Sequence, residues 1–157
     1  MDWLSLSPRA RLLFYLQAFS RLVFFWIPAT AALGFGASFA VGPLYAAIGG
    51  VVWLFVLFLA ALWVPSLAFD RWSYSLREED LLIARGVLVR AITAIPASRI
   101  QHVDLRQGPI EQWLGLARIQ IHTASGLGGD GVIPGLELED AEVLRDQLVK
   151  VSGDGGV

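Results

Sequence analysis

Forty-eight consecutive residues, Leu22 to Phe69, contain no Asp, Glu, Lys, Arg or His. A bilayer core of ~30 Å takes ~20 helical residues. A single helix of that length would run ~72 Å at ~1.5 Å per residue. The stretch therefore predicts two membrane spans and a turn. The turn falls at Gly42-Pro43, because both residues interrupt helices. The spans are then about 22–41 and 44–63. A secretory signal does not account for the run, since its apolar region covers only ~7–15 residues and no second span follows it. Composition agrees. Charged residues are 17% of the 157, against ~25% in soluble domains. At 55% hydrophobic, one soluble domain of this length lacks the interior to hide its apolar surface.

Arg9, Arg11 and Arg21 precede the first span, Arg71 and Arg77 follow the second, and the turn carries no charge. Positive residues stay on the cytoplasmic side, so both termini are expected there. Trp3, Tyr15, Trp63 and Trp72 suit the same interfacial belt. Ser7-Pro8 reads as a helix start, with Ser7 as cap, and Pro28 is expected to kink the first span. Ala32, Gly36 and Ala40 on one span, with Ala46 and Gly50 on the other, have the spacing that lets helix backbones approach closely. Transport and proton relay rely on ionisable groups within the membrane. These spans have none and read as an anchor.

From Asp70 onward the character changes. Residues 70–157 hold nine Lys/Arg and thirteen Asp/Glu, about −4, against +2 for residues 1–69, which together give the net −2 of the chain. Short apolar runs at 72–76, 81–85, 87–95, 100–106, 118–123 and 132–133, separated by turn residues, predict a small sandwich or barrel. From Glu137, apolar residues at Ala141, Leu144, Leu148 and Val151 fall on one helical face. The acidic first turns and the late Lys150 suit the helix dipole. The division expected is 1–69 for an N-terminal helix and two spans, 70–152 for a cytoplasmic domain, and 153–157 for a disordered tail.

Tyr74-x-Leu76, Leu81-x-Ile83-x-x-Gly86, Ile95-Pro96, Arg99-Ile100-Gln101, Gln107-Gly108-Pro109, Leu114 to Ala117, Thr123-Ala124 and Gly135-Leu136 stand in one order. That ordered set resembles the bacterial pleckstrin-homology-like, membrane-flanked family of YdbS type, over nearly the whole chain. The resemblance implies a two-helix transmembrane hairpin followed by a mainly-β pleckstrin-homology-like (PH-like) barrel closed by a C-terminal helix. It also implies residence in a bacterial inner membrane. A protein partner, a larger membrane protein carrying several copies of the domain, is suggested in the same way.

The absence of cysteine excludes disulfides, iron–sulfur clusters, Cys-ligated zinc and thiol catalysis. The near-neutral charge argues against nucleic acid. Residues Gly126 to Gly131 match G-x-G-x-x-G, but a dinucleotide site needs that motif to open a helix, and Val132-Ile133-Pro134 does not start one. His102 and His122 lack a third matched donor for a metal. His102-Val103-Asp104 suggests a base and its orienting carboxylate, yet no nucleophile motif accompanies it. Surface histidines are expected instead. No cofactor and no enzymatic activity is expected.

The candidate partner or ligand face comprises Arg99, Gln101, Arg106, Gln107, Trp113 and Arg118. The alternation slips at Gln101, as at a bulge. Trp113 is expected to pack beneath the barrel end, with an exposed partner anchor as the alternative. The basic residues suggest an anionic ligand, or else a solvated face. The 77–80 turn, Arg77-Glu78-Glu79-Asp80, is net acidic and unsuited to phosphates. The function expected is a membrane-anchored binding or scaffold module. The hairpin meets membrane lipid and the domain meets a protein. A lipid- or anionic-ligand-sensing module is the alternative.

Overall fold

The computed structural model describes residues 3–123 and 131–154. It divides into two compact units: 14–67, and residues up to Leu13 together with those from Ala68 onward.

The first unit is helical. Helix α1 (Ala10–Arg21) passes through a π-helical turn at Leu22–Trp26 into α2 (Ile27–Val41), and α3 (Pro43–Asp70) follows after Gly42. The continuous stretches Ala10–Val41 and Pro43–Asp70 are each long and apolar enough to cross a membrane. Pro28 explains the wide turn. It has no N–H for the carbonyl four residues back and its ring crowds that carbonyl. The chain instead widens just before it, with the Ile27 N–H donating to the Leu22 carbonyl. Gly42, at φ 88, makes the joint.

The expected small-residue seam does not form. Ala32, Gly36 and Ala40 are exposed, and a Cβ at Gly36 would meet nothing within 4 Å. The helices touch elsewhere, through Trp26–Trp53 and Phe19–Phe58 ring pairs at 6.4 and 6.2 Å and through Thr30 beside Gly50.

The second unit is the barrel. One antiparallel sheet has the order β1-β2-β3-β4, built from β1 (Leu4–Ser5), β2 (Ser73–Leu76), β3 (Asp80–Arg85) and β4 (Ala91–Pro96). The other has the order β5-β6-β7, from β5 (Ile100–Arg106), β6 (Leu116–Thr123) and β7 (Gly131–Glu137). A short α4 (Pro109–Leu114) links β5 to β6, and α5 (Leu138–Asp154) closes the barrel. Leu81, Ile83, Ile95, Leu116, Ile119, Ile121, Ile133 and Leu136 fill the core. Ala141, Leu144 and Leu148 are the buried face of α5, as their spacing predicted.

Four boundaries differ from the sequence reading, each for a local reason. Residues 3–13 belong with the barrel, not with the spans. Leu4 pairs with Tyr74 and Ser5 with Ser73. The Ser7 N–H donates to the Gly135 carbonyl, and Leu6, Ala10 and Leu13 are buried. Ser7 still precedes the helix, its Oγ accepting from the Arg9 N–H and donating to Glu137 Oε1. The β4 strand begins at Ala91, because 87–90 form a hairpin loop. Gly86, at φ 123, starts that loop in a conformation that favours glycine, and a Cβ there would overlap the Val89 carbonyl. Strand β7 runs through Pro134, because β7 is an edge strand whose register shifts opposite Ala117 to Ile119. Proline is tolerated in that setting. Residues 153–154, expected in a disordered tail, complete α5; positions 155–157 lie outside the described residues. So do 124–130 of the glycine-rich segment, whose last residue, Gly131, opens a strand.

Candidate functional site

Strand β5 alternates. Val103 and Leu105 turn toward the interior, so His102, Asp104 and Arg106 share the outer face. Across the ladder they oppose His122, Gln120 and Arg118. Asp104 is the hub. His102 Nε2 lies 2.6 Å from its Oδ1, Arg106 Nη2 donates to its Oδ2 at 3.0 Å, and His122 Nε2 is 3.7 Å from Oδ2. The hydrogen bond from Arg106 holds the Asp104 carboxyl below its ordinary 3.8, outweighing desolvation, and His102 adds to the pull. The sequence reading singles out the His102–Asp104 pair and sets it aside in favour of surface histidines; the parts of Arg106 and His122 are not read there, although His-x-Asp-x-Arg in a strand period is visible. Among the described residues no group of three His, Cys, Asp or Glu is arranged to hold a metal.

Beyond Arg106 the chain enters α4 with Pro109 in its first turn, where a missing N–H costs nothing. Glu111 folds back into the turn and is 1% exposed. Its Oε2 accepts from the Gly108 N–H at 2.6 Å and from Arg118 Nε and Nη2 at 3.1 and 2.8 Å. Gln107 Nε2 donates to the Leu116 carbonyl at 2.8 Å, and Gly115, in the left-handed region, ends the helix. The α4 turn is therefore fastened at both ends. Glu111 escaped the sequence reading, although a glutamate two residues after a helix-opening proline fits a capping pattern.

The six expected face residues do not form one face. Gln107 and Arg118 are occupied in fastening α4, and Arg106 is occupied by Asp104. Arg99, in the turn Ala97–Arg99, and Gln101 are exposed near the opposite end of β5, ~20 Å from Arg106 at ~3.3 Å per residue. Gln101 does sit at a bulge, since the register shifts between Ile100 and His102. Trp113 reverses its expectation. It is 76% exposed on α4, because the inner side of so short a turn is taken by Glu111.

A tightly wound β-domain of two antiparallel sheets closed by a helix, on a chain with two apolar helices, defines a class of membrane-anchored barrel modules. The profile of the family described as "Bacterial PH domain" matches residues 17–151, and the chain belongs to that family. It is 33% identical over 103 residues to the UPF0699 transmembrane protein YdbS of Bacillus subtilis (strain 168), covering 66% of this chain and 63% of that one. It is 26% identical over 102 residues to the UPF0699 transmembrane protein YdbT of the same organism, covering 64% of this chain and 21% of that one. The chain thus spans less than two thirds of either relative. A crystal structure of a DUF1696 family protein with a pleckstrin-homology domain from Shewanella loihica PV-4 is similar at 14% identity, with a TM-score of 0.42 over 54% of this chain and 73% of that one. With the transmembrane relative and its own apolar helices, this chain is a membrane-associated PH-like module.

Proposed function

We propose that the chain is a scaffold module of the bacterial inner membrane, its two helices anchoring a barrel that binds another membrane protein rather than catalysing a reaction. Both termini are cytoplasmic in this reading. The observation that carries it is Trp113. Large, rigid aromatics at the centre of a contact supply much of the energy of protein association. Trp113 is such a group, held out from a turn whose base is locked by Glu111, Arg118 and Gln107. The arginines favour this reading over an anionic-ligand sensor, because Arg106 and Arg118 are already paired with Asp104 and Glu111. The partner proposed is a larger membrane protein carrying several PH-like domains. YdbT is a relative of which this chain matches only 21%, so longer proteins with a segment related to this one exist.

The test is a photo-crosslinking residue at position 113 of the full chain in native membranes, with the captured protein identified. Capture of a membrane protein with more than one PH-like domain, lost at a control position such as Glu142, supports the reading. Adducts to lipid alone would overturn it.

A further inference from the structure

Among the described residues of the barrel unit, the β3–β4 hairpin loop carries the most exposed apolar side chains. Leu88 is 97% exposed, Val89 79%, and Ile92, at the start of β4, 57%. An apolar loop tip flanked by cations is unusual on a surface that meets only water. Three arginines flank it: Arg85 ends β3, Arg90 ends the loop, and Arg71 donates to the Val87 carbonyl. Arg71, Arg85 and Arg90 are all exposed, and none has an acidic partner among the described residues. The nearby Asp70 is taken by Arg11 at 2.5 Å.

The topology brings this tip back to where the chain leaves α3. Arg71 follows the last residue of that helix. Strand β2 then runs to the 77–80 turn, and β3 returns antiparallel, with Ser73 opposite Ala84. The Arg71 guanidinium donates to the Val87 carbonyl, fastening the loop within one residue of α3. Helix α3 has 28 residues, ~42 Å at ~1.5 Å per residue. That length matches a bilayer with its headgroup layers, ~40–45 Å. A helix of that length that spans a bilayer ends at the lipid–water boundary, one residue before Arg71. The acidic Glu78 and Glu79 lie at the other end of β3, about six residues or ~20 Å away, and do not offset the arginines at the tip.

We infer that the 86–90 loop is a membrane-docking tip, with Leu88 and Val89 inserted among the acyl-chain ends and Arg71, Arg85 and Arg90 set against lipid phosphates. Apolar side chains buried shallowly beside basic ones are the physical pattern of interfacial attachment. Gly86 supports the assignment, because its left-handed conformation turns the chain so that Val87, Leu88 and Val89 form a loop instead of continuing the sheet. The inference needs only the membrane anchorage of the chain. It is independent of the partner assigned to Trp113.

The chain has no cysteine, so a single Leu88→Cys or Val89→Cys carries an environment-sensitive fluorophore without background. The full chain is reconstituted in phosphatidylcholine–phosphatidylglycerol vesicles, with Glu78→Cys as the distal reference. A blue-shifted emission at 88 and 89, quenched several-fold more by shallow doxyl-labelled lipid than at 78, is expected. Quenching equal to that at 78 would overturn the inference. So would a blue shift without lipid quenching, which would mean that protein covers the tip.

Discussion

Gly135 lies against Ala10. At φ 67 it occupies a backbone region that side chains rarely adopt, and a Cβ added there would overlap the Ala10 Cβ. The neighbouring Ser7 N–H donates to the Gly135 carbonyl, so the N-terminal segment is locked onto the bulged edge of β7. Gly135→Val should therefore destabilise the barrel by about 2–5 kcal/mol, combining a strained left-handed residue with overpacking. Thermal unfolding of the full chain in detergent measures it. A melting curve unchanged from the wild type would contradict this docking.

The same contact governs truncation. A fragment of 70–152 lacks Leu6, Ala10 and Leu13, all buried in the barrel unit. Burial of each leucine contributes about 1.5–3 kcal/mol, against a total of about 5–15 kcal/mol for such a domain. The fragment is expected to lose cooperative unfolding, and added peptide 3–13 should restore it. A sharply cooperative 70–152 would show that the segment is dispensable.

Why this was not legible in the sequence is a matter of range. Leu4 and Tyr74 pair across seventy positions, and no local pattern reports such a partner. Local periodicity did report β5, with its bulge at Gln101, and the buried face of α5. It misplaced β4, because Val87-Leu88-Val89 looks like a strand until the geometry of Gly86 turns it into a loop. It ended β7 at Pro134 because an edge position is not visible in sequence. Trp113 was misread for a related reason. A six-residue helix has no period from which to tell its inner side from its outer one, and the inner side is Glu111, a charge whose burial depends on Arg118.

That dependence is testable. Arg118→Ala leaves a buried Glu111 carboxylate with one hydrogen bond, from Gly108, and with Oε1 already lacking a partner. Because Arg118 is itself partly exposed, the expected loss is about 2–3 kcal/mol, below the ~3–5 kcal/mol of a fully buried broken pair. Glu111→Gln in the Arg118→Ala background should recover part of it, since a neutral amide oxygen still caps Gly108. Denaturant unfolding of the four-member cycle reads the coupling. Additive losses would mean that the pair does not act as a unit.

The pH response has two limbs of known sign. Asp104 is held below its ordinary pKa by Arg106, so the stability it contributes is present above 3.8 and is lost as pH falls through the lowered value. Tyr74 is raised above 10.0, first by burial and then by the charge of Asp140. Its contribution is full below pH 10 and is lost as pH rises through the raised value. Asp104→Asn should flatten the acid limb and Tyr74→Phe the alkaline one, each leaving the other limb in place. Melting temperatures across the pH range check both. An unchanged acid limb in Asp104→Asn would assign that limb to other carboxylates.

Strand pairing also constrains topology. Leu4 and Tyr74 sit in one sheet on either side of the two apolar helices, so the two ends of the helical pair must lie on one side of the membrane. The cytoplasmic side proposed above rests on charge, since Arg9, Arg11, Arg21, Arg71 and Arg77 all flank that end while Gly42-Pro43 has none, and positive residues favour the cytoplasmic side. In the cysteine-free chain, Gly42→Cys should react with a membrane-impermeant maleimide added to intact cells. Ser152→Cys should react only after the membrane is opened. Labelling of both positions from outside would put Gly42 and the barrel on one side and mean that the helices do not cross as a pair. Labelling of position 42 only after opening, with 152 open from outside, would reverse the assignment, while equal protection of both would mean that Gly42 does not emerge.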